Sequence, residues 1–557
     1  MEPVKSPAPN NSIELRVERM GPLPIVNHFL RRLDLDALLE KFVATDDPRC
    51  ELPYAKALGV LLRSIIVERE PIYRQQETVS TFAPGMFNLK ADEFGALSDD
   101  RIGRALDRLF DADRGALLTE AVLRAGNRFG VSFDELHNDS TTIRLTGQYR
   151  EATGRSLRGR RAAWITFGLS KDHRPDLKQL LFILTTSADG GVPVNFRCAD
   201  GNTSDSITHI ETWESLKALA GRPDFLYVAD SKLCSRENMD YIARKGGRLV
   251  TVLPRTRQED PEFRKWIQTN EPEWGKPVWD RPNPRRKYGP RDRWWAWRYP
   301  IPSQEAWPVI WVYSSLAASG QDQSRRERIA GAVAELQDLK RRLASPKSRL
   351  RKAAVVEEKL DAILKRFSAG RYLKVRRTTK EEHRFKQERR GRPGPTTAYR
   401  RITRQRWDVV WETDQAAIDY DRKSDGMYPL LTNDKTLTPA QVLEAHKGQP
   451  AIEKRFQQCK TVHEIAPALL KNEGRIEALF FLYFLALFVQ ALIERELRRA
   501  MERDGIQELL LYPEERECKR PSTDQVLRLF SHATRNDLVQ DGSIVQVFEV
   551  RLTELQK

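Results

Sequence analysis

The sequence predicts an α/β protein with a helical N-terminal domain, a mixed-sheet core and a large basic insertion that interrupts that core. Three observations carry this expectation. From about residue 131 the apolar period changes from 3.6 to 2. From there the segments follow in the order strand, strand, strand, helix, strand, helix, strand. Residues 257 to about 424 then differ abruptly from their flanks: eight of the twelve tryptophans fall between Trp266 and Trp311.

Composition narrows the function classes. A chain of 557 residues is long for one core, and length alone suggests about three or four domains. A formal charge of +16 and a pI near 9.5 make a polyanion the favoured partner, nucleic acid before membrane surface. The long apolar run, Ala478 to Ile493, is 16 residues with Gln490 inside it and Glu477, Glu494, Arg495 and Glu496 around it. That is short for a span of about 20 residues, so a buried core helix is expected and no membrane. The start, MEPVKSPAPNNS, has no apolar stretch behind a basic one, so the expected place is the cytoplasm, at the bacterial nucleoid. Cys50, Cys198, Cys234, Cys459 and Cys518 lie far apart without a C-x-x-C pair, which argues for packing residues and against a thiolate zinc site.

In chain order, residues 1–130 read as a helical domain for DNA-end binding or dimerisation. Amphipathic segments Ile25 to Phe42, Tyr54 to Val67 and Asp99 to Phe110 are separated by Pro and Asp/Gly breaks, with Ser98 as an N-cap. In VSFDELHNDSTTIRL, Phe133, His137, Asp139, Thr141 and Ile143 fall on one side of a strand. Lys178 to Thr186 and Val192 to Cys198 are joined by Ala-Asp-Gly-Gly, a hairpin signal. A helix follows Gly201-Asn202 with a cap near Asp205 or Ser206. Phe225 to Ala229 reads as a buried parallel strand ending at Asp230. A helix near Glu237 to Arg244 and a strand at Arg248 to Leu253 close the first part of the core, 131–256.

The insertion, 257–424, carries seven Lys/Arg against one acid between Arg281 and Arg298, and fourteen against three between Gly370 and Arg406. A charge run is commonly a solvated face, yet interleaved Trp294, Trp295, Trp297, Tyr372 and Tyr399 favour combined stacking and phosphate contact. Trp294 and Trp295 would point to opposite faces of a strand, although a β-rich core filled with tryptophan accounts for most of the block. Gln323 to Phe367 reads as a helical hairpin broken at Ser345-Pro346, and Trp407 to Ile418 as strand-like. The core resumes at 425–503 with a strand at Gly426 to Thr432 and a helix beginning near Pro450. A C-terminal segment, 504–557, holds an amphipathic stretch, Asp524 to Phe530, and a β-like end, Ser543 to Leu552.

The strand and helix order is that of a ribonuclease H-like fold, in which the first strand lies beside the fourth. Asp139 and Asp230 would then meet at neighbouring strand ends, and the helix PAIEKRFQQCK would deliver Glu453 with Lys460 on the same face two turns on. Taken singly each is unremarkable: a strand-end Asp is usually a turn or cap residue, and Glu with Lys on one helix face is usually a solvated pair. Three gathered carboxylates are hard oxygen ligands suited to two Mg²⁺ or Mn²⁺ ions acting on a phosphodiester. His137 reads as a strand residue, and Asp205 as an N-cap first and an outer partner second.

The pieces NDSTT (138–142), SKDHRPDLKQ (170–179), GNTSD (201–205), YVADSKLCS (227–235), DGMYPLLTN (425–433), the Glu453-x6-Lys460 spacing and IEALFFLYFLALFVQALIE behind it resemble, in that order, the DDE transposases of bacterial insertion sequences. The resemblance is to the insertion sequence four group, where an inserted domain precedes the catalytic Glu. It implies metal-dependent 3′ end cleavage and strand transfer by Asp139, Asp230 and Glu453, Lys460 near DNA, and a homodimer on paired terminal inverted repeats that then captures target DNA. That group's Tyr and Arg, seven and four residues before the Glu, are His446 and Gln449 here, and Lys447, Lys454 or Arg455 could take over their DNA contacts. The alternatives are a catalytically inactive DNA-binding protein derived from a transposase, and a structure-selective nuclease of the same fold.

Overall fold

The structure is a computed structural model that describes residues 13–46, 50–171, 174–283, 286, 288–345, 348–462, 470–512, 514, 516–548 and 550–557. The chain forms two compact units. One comprises Met1–Thr251, Thr432–Asp434 and Glu444–Lys557; the other comprises Val252–Leu431 and Lys435–Leu443.

The first unit holds a mixed sheet built from β1 (Glu135–Leu145), β2 (Lys178–Ser187), β3 (Pro193–Ala199), β4 (Leu226–Ala229) and β5 (Arg248–Val252) in the order β3-β2-β1-β4-β5. β1 pairs antiparallel with β2, and β2 with β3, whereas β1 pairs parallel with β4, and β4 with β5. The β2–β3 hairpin turns at Gly190 and Gly191, whose φ of 82° and 64° suit residues without a Cβ. β4 is four apolar residues buried on both faces, as a parallel strand between neighbours must be.

The long apolar run is the centre of helix Glu473–Arg503. It is long and apolar enough to cross a membrane by composition, yet 89% of its apolar window is buried within the protein. Phe480 and Phe484 meet Phe182 of β2 and Phe196 of β3, with ring centroids 6.2 and 5.7 Å apart. Helices Tyr54–Val67 and Asp99–Asp111 pack on it as well, and Arg475 reaches Asp107 at 2.7 Å and Glu477 reaches Arg114 at 2.7 Å. The helices expected as an N-terminal domain therefore share one unit with the core, because their apolar faces are covered by this helix.

Locally, the expected segment Ile25 to Phe42 is two helices, Leu23–Leu33 and Leu35–Phe42, divided at Asp34 in a left-handed conformation (φ 53°). Ser98 caps its helix by accepting from the Arg101 N–H at 3.1 Å. A strand at Ile13–Arg19 pairs with Thr534–Gln540, which pairs with Ser543–Phe548.

In the second unit, Met427–Thr432, Val309–Ser314, Asp292–Arg298 and Trp279–Arg281 pair antiparallel in sequence. The expected helical hairpin is Ser315–Ala344 and Ala353–Arg366, with Pro346 outside the described residues. Leu336, Leu339, Leu343, Val356 and Leu360 of this hairpin bury against Leu373 and Val409, at the base of a two-stranded ribbon, Leu373–Gln387 and Tyr399–Thr413. The segment expected as strand up to Ile418 ends at Thr413, and Ile418 sits in helix Gln415–Arg422, whose N-cap Asp414 accepts from the Ala417 N–H. That cap satisfies a helix-end donor and stops the strand.

Candidate active site

β1 and β4 are in register from Glu135 opposite Leu226 to Asn138 opposite Ala229. The next residues are Asp139 and Asp230, so the two acids emerge side by side where β4 ends. Asp139 Oδ1 accepts the Ser140 N–H at 2.7 Å. Asp230 opens a turn: its Oδ1 accepts the Lys232 N–H at 2.9 Å and its carbonyl accepts the Leu233 N–H at 3.1 Å and the Thr251 hydroxyl at 2.6 Å. Burial pushes the Asp139 carboxyl up to about 6, with Lys171 and the Ser140 N–H opposing and Asp230 and Asp205 adding to the rise. The Asp230 carboxyl is raised too, by burial first, against the Lys232 N–H and Lys171. Two carboxylates that repel one another in a partly dry place each favour a proton.

A third acid, Asp205, expected as an outer partner only second to a cap, and a cation, Lys171, not expected in this role, complete the cluster. Asp205 begins a short 3-10 turn before helix His209–Ala220. Its side chain does not cap: Oδ1 accepts from the Ser140 hydroxyl at 2.7 Å and Oδ2 lies 3.0 Å from Lys171 Nζ. Lys171 Nζ also donates to the Ser140 carbonyl at 2.6 Å and Oγ at 2.9 Å, and stands 3.9 Å from Asp139 Oδ1. The N-cap reading of Asp205 is thus corrected, because Ser140 and Lys171 compete successfully for its oxygens. Both residues lie in motifs quoted above, SKDHRPDLKQ and GNTSD. The signal available in the sequence was their order, and no local period distinguishes them. Beneath them His209, buried, meets the Tyr227 hydroxyl through Nδ1 at 3.0 Å, and burial pushes it down to about 4.

Helix Pro450–Gln457 lies over the β1 face that carries His137, Asp139 and Thr141. Gly448, just before it, comes so close to the His137 ring that a Cβ there would stand 2.5 Å from Cε1. At the other end, Phe456 meets Phe182, which is opposite Thr141 in the β1–β2 register, at 6.4 Å. Ile452 and Phe456 are buried, and each contributes about 1.5–3 kcal/mol to holding the helix down. His137 is the strand residue it was expected to be, with Nε2 2.8 Å from Glu135 Oε1. Glu453 is exposed on this helix. Among the described residues no three His, Cys, Asp or Glu side chains stand close enough to hold one ion, so Glu453 does not close a three-carboxylate set with Asp139 and Asp230 in this arrangement.

The expected DNA contacts divide. Arg455 is 2% exposed and is committed to the interior: Nε donates to the Gly191 carbonyl at 2.9 Å, Nη2 to Gly190 at 3.3 Å, and Nη1 pairs with buried Glu494 at 2.9 Å. Its assignment to DNA is corrected on that ground, since a guanidinium surrounded by internal acceptors has none left for phosphate. Lys454 is exposed, and its ammonium is held below the ordinary lysine range by lost hydration and by Arg498, Arg455 and Arg520 against Glu494. Lys460 lies half-buried in a π-helical turn, Gln458–Val462. In the second unit Trp294 and Trp295 are half-buried: Trp294 Nε1 donates to Asp292 at 2.7 Å, and the Trp295 ring meets Tyr313 at 5.2 Å. Trp266, Trp297, Tyr299, Phe263 and Trp311 form one cluster of stacked and edge-on rings, in which Trp311 is buried and Trp266 and Trp297 are half-buried.

No protein-family model and no curated protein sequence matches the chain. Among solved structures, a piggyBac transposase synaptic complex with hairpin DNA is similar at 9% identity and a TM-score of 0.32, over 88% of this chain and 87% of that one.

Proposed function

We propose that the chain is a metal-dependent DNA transposase of the DDE kind, with a ribonuclease H-like core that cuts at the ends of an insertion sequence and joins them to target DNA. The single observation that carries this reading is that Asp139, within β1, stands beside Asp230, the residue that follows the end of its parallel neighbour β4, in the strand order β3-β2-β1-β4-β5.

The residues present fit a divalent cation. Asp139 and Asp230 offer hard oxygen donors, both carboxyls are drawn towards a proton, and the Lys171 ammonium already sits among them. Asp139 and Asp230 would hold Mg²⁺ or Mn²⁺, and Glu453 would join them from its overlying helix when DNA is engaged. When bound, such ions supply a more acidic water or 3′ hydroxyl and stabilisation of the leaving oxygen. In cleavage, water oxygen bonds to phosphorus as the P–O3′ bond breaks, freeing a 3′ hydroxyl. In joining, that hydroxyl oxygen bonds to the phosphorus of a target phosphodiester as the target's own P–O3′ bond breaks, and the proton it gives up balances the one taken by the departing target 3′ oxygen. Asp205 and Ser140 hold the Lys171 ammonium beside Asp139, where its charge stabilises negative charge that builds there. Lys454 and Lys460 provide phosphate contacts on the flanking duplex.

The test is incubation of purified protein with duplexes bearing the inverted repeats that flank its coding sequence, in Mg²⁺. Discrete 3′ cuts at the repeat boundary, absent in Asp139→Asn, are expected. Binding of the same duplexes without any cutting would establish the inactive DNA-binding alternative instead.

A further inference from the structure

The ribbon Leu373–Gln387 with Tyr399–Thr413 has two faces of different chemistry, and both change half-way along. On one face the base is apolar: Leu373, Val375, Val409, Trp407 and Trp411 pack on the helical hairpin. Beyond Thr379 the same face runs out of helices to cover it and presents His383, Phe385, Gln387, Tyr399, Arg401 and Thr403, with Phe385 66% and Tyr399 49% exposed. On the opposite face the base is charge-balanced, with Lys374 across from Glu412 and 2.9 Å from Asp414. Towards the tip the balance disappears: Lys380 faces Arg406, Glu382 faces Arg404, and Lys386 faces Arg400.

Like charges directly opposite in an antiparallel pair destabilise it. Arg406 is relieved by Glu382 at 2.6 Å and by the Ala344 and Ser345 carbonyls. Among the described residues no ion pair relieves Lys380, Lys386, Arg400 or Arg404. A fold that sets six cations against the one acid Glu382 on this face of the ribbon tip is complementary to a polyanion lying along that face.

We propose that the ribbon tip, Lys380–Arg406, is a groove-entering element for double-stranded DNA, its cationic face set against backbone phosphates and its Phe385–Tyr399 face against base edges and sugars. The eight residues Lys380–Gln387 extend about 25 Å, and the major groove is about 12 Å wide and admits a two-stranded ribbon. Polar His383, Gln387 and Thr403 offer the donors and acceptors that base edges can read. This rests on the DNA-directed reading above but not on its chemistry, since binding is measured without metal.

The experiment compares the full-length protein with two variants, each first checked for an unchanged circular dichroism spectrum and melting temperature. Binding is measured in EDTA to a duplex and to one of its strands, from 50 to 300 mM salt. The Lys380→Gln/Lys386→Gln/Arg400→Gln/Arg404→Gln variant is expected to lower the duplex salt slope by about three to four, at about 0.9 per phosphate contact. Phe385→Ala/Tyr399→Ala is expected to keep the slope and lose most of the preference for duplex over single strand. An unchanged slope in the first variant, or a larger loss for single strand than for duplex in the second, would overturn the proposal. Loss of metal-dependent cutting with these binding results intact would instead count against the transposase reading alone.

Discussion

The place where β4 ends beside β1 and the tip of the ribbon pose opposite versions of one electrostatic problem. At the first, Asp139, Asp230 and Asp205 crowd negative charge in a partly buried place, with Lys171 as an internal counter-charge. At the second, Lys380, Lys386, Arg400 and Arg404 crowd positive charge on an open strand face where Glu382 is the one acid among them. Burial makes the first a small site suited to a compact cation, whereas exposure makes the second a surface suited to a long polyanion. Charge that the fold neutralises itself, as in Arg455 with Glu494, is structural. Charge it leaves crowded points to a ligand.

The largest effect should come from the acidic end. Asp139→Asn, Asp230→Asn and Glu453→Gln should each lower cutting and joining by roughly a thousandfold or more, and double substitutions should add little, because groups acting as one unit are non-additive. Near wild-type cutting by Glu453→Gln would show that its helix does not deliver a catalytic acid, and Asp205→Asn would then be the next variant to assay. Arg455→Ala sharpens the contrast from the structural side: it removes one of the two arginines on buried Glu494, which keeps Arg498 at 3.2 Å, and should cost about 1–3 kcal/mol in urea unfolding. Lys454→Ala should change stability by less than about 1 kcal/mol while weakening duplex binding.

A pH titration separates the two regions further. The Asp139 carboxyl titrates near 6 in the folded chain against 3.8 when free, so the folded state holds the extra proton. Its stabilising contribution is fully present below pH about 4 and is lost as pH rises through about 6, at most about 3 kcal/mol. Asp139→Asn should flatten that part of the stability–pH curve and raise the melting temperature of the metal-free protein at pH 7. Smaller still, Asp205→Asn should slow cutting by about ten- to a hundredfold by loosening Lys171, with a shifted pH–rate profile and duplex affinity retained.

How much of this could be read in advance follows from where each signal lies. The strands of the central sheet were legible because alternation and the Ala-Asp-Gly-Gly turn are local, and β1 beside β4 followed from their order. The long helix was legible as core because its apolar run of 16 residues holds Gln490 and is flanked by charge, although the whole helix is long enough to cross a membrane and only its burial decides the matter. Asp205 was misread because an Asp before a helix serves a cap in most settings, and only Ser140, 65 positions away, reveals otherwise. Arg455 was misread for the same reason: its neighbours on the helix suggest a surface, whereas Glu494 and the Gly190 and Gly191 carbonyls come from distant segments. The Ile13–Arg19 strand has a local cue in the alternation of Ile13, Leu15 and Val17, but nothing local names its partner, Thr534–Gln540. The two faces of the ribbon tip depend on register, which the fourteen basic residues between Gly370 and Arg406 do not specify by count.

The measurement that bears most directly on the account is calorimetric titration of Mn²⁺ into the metal-free protein at pH 6 in two buffers of different ionisation enthalpy. Because Asp139 is about half protonated there and the Asp230 carboxyl is raised as well, wild type should bind the ion and release protons, whereas Asp139→Asn should bind far more weakly and release fewer. Equal Mn²⁺ binding by the two proteins, or binding without proton release, would contradict the claim that Asp139 and Asp230 form a cation site.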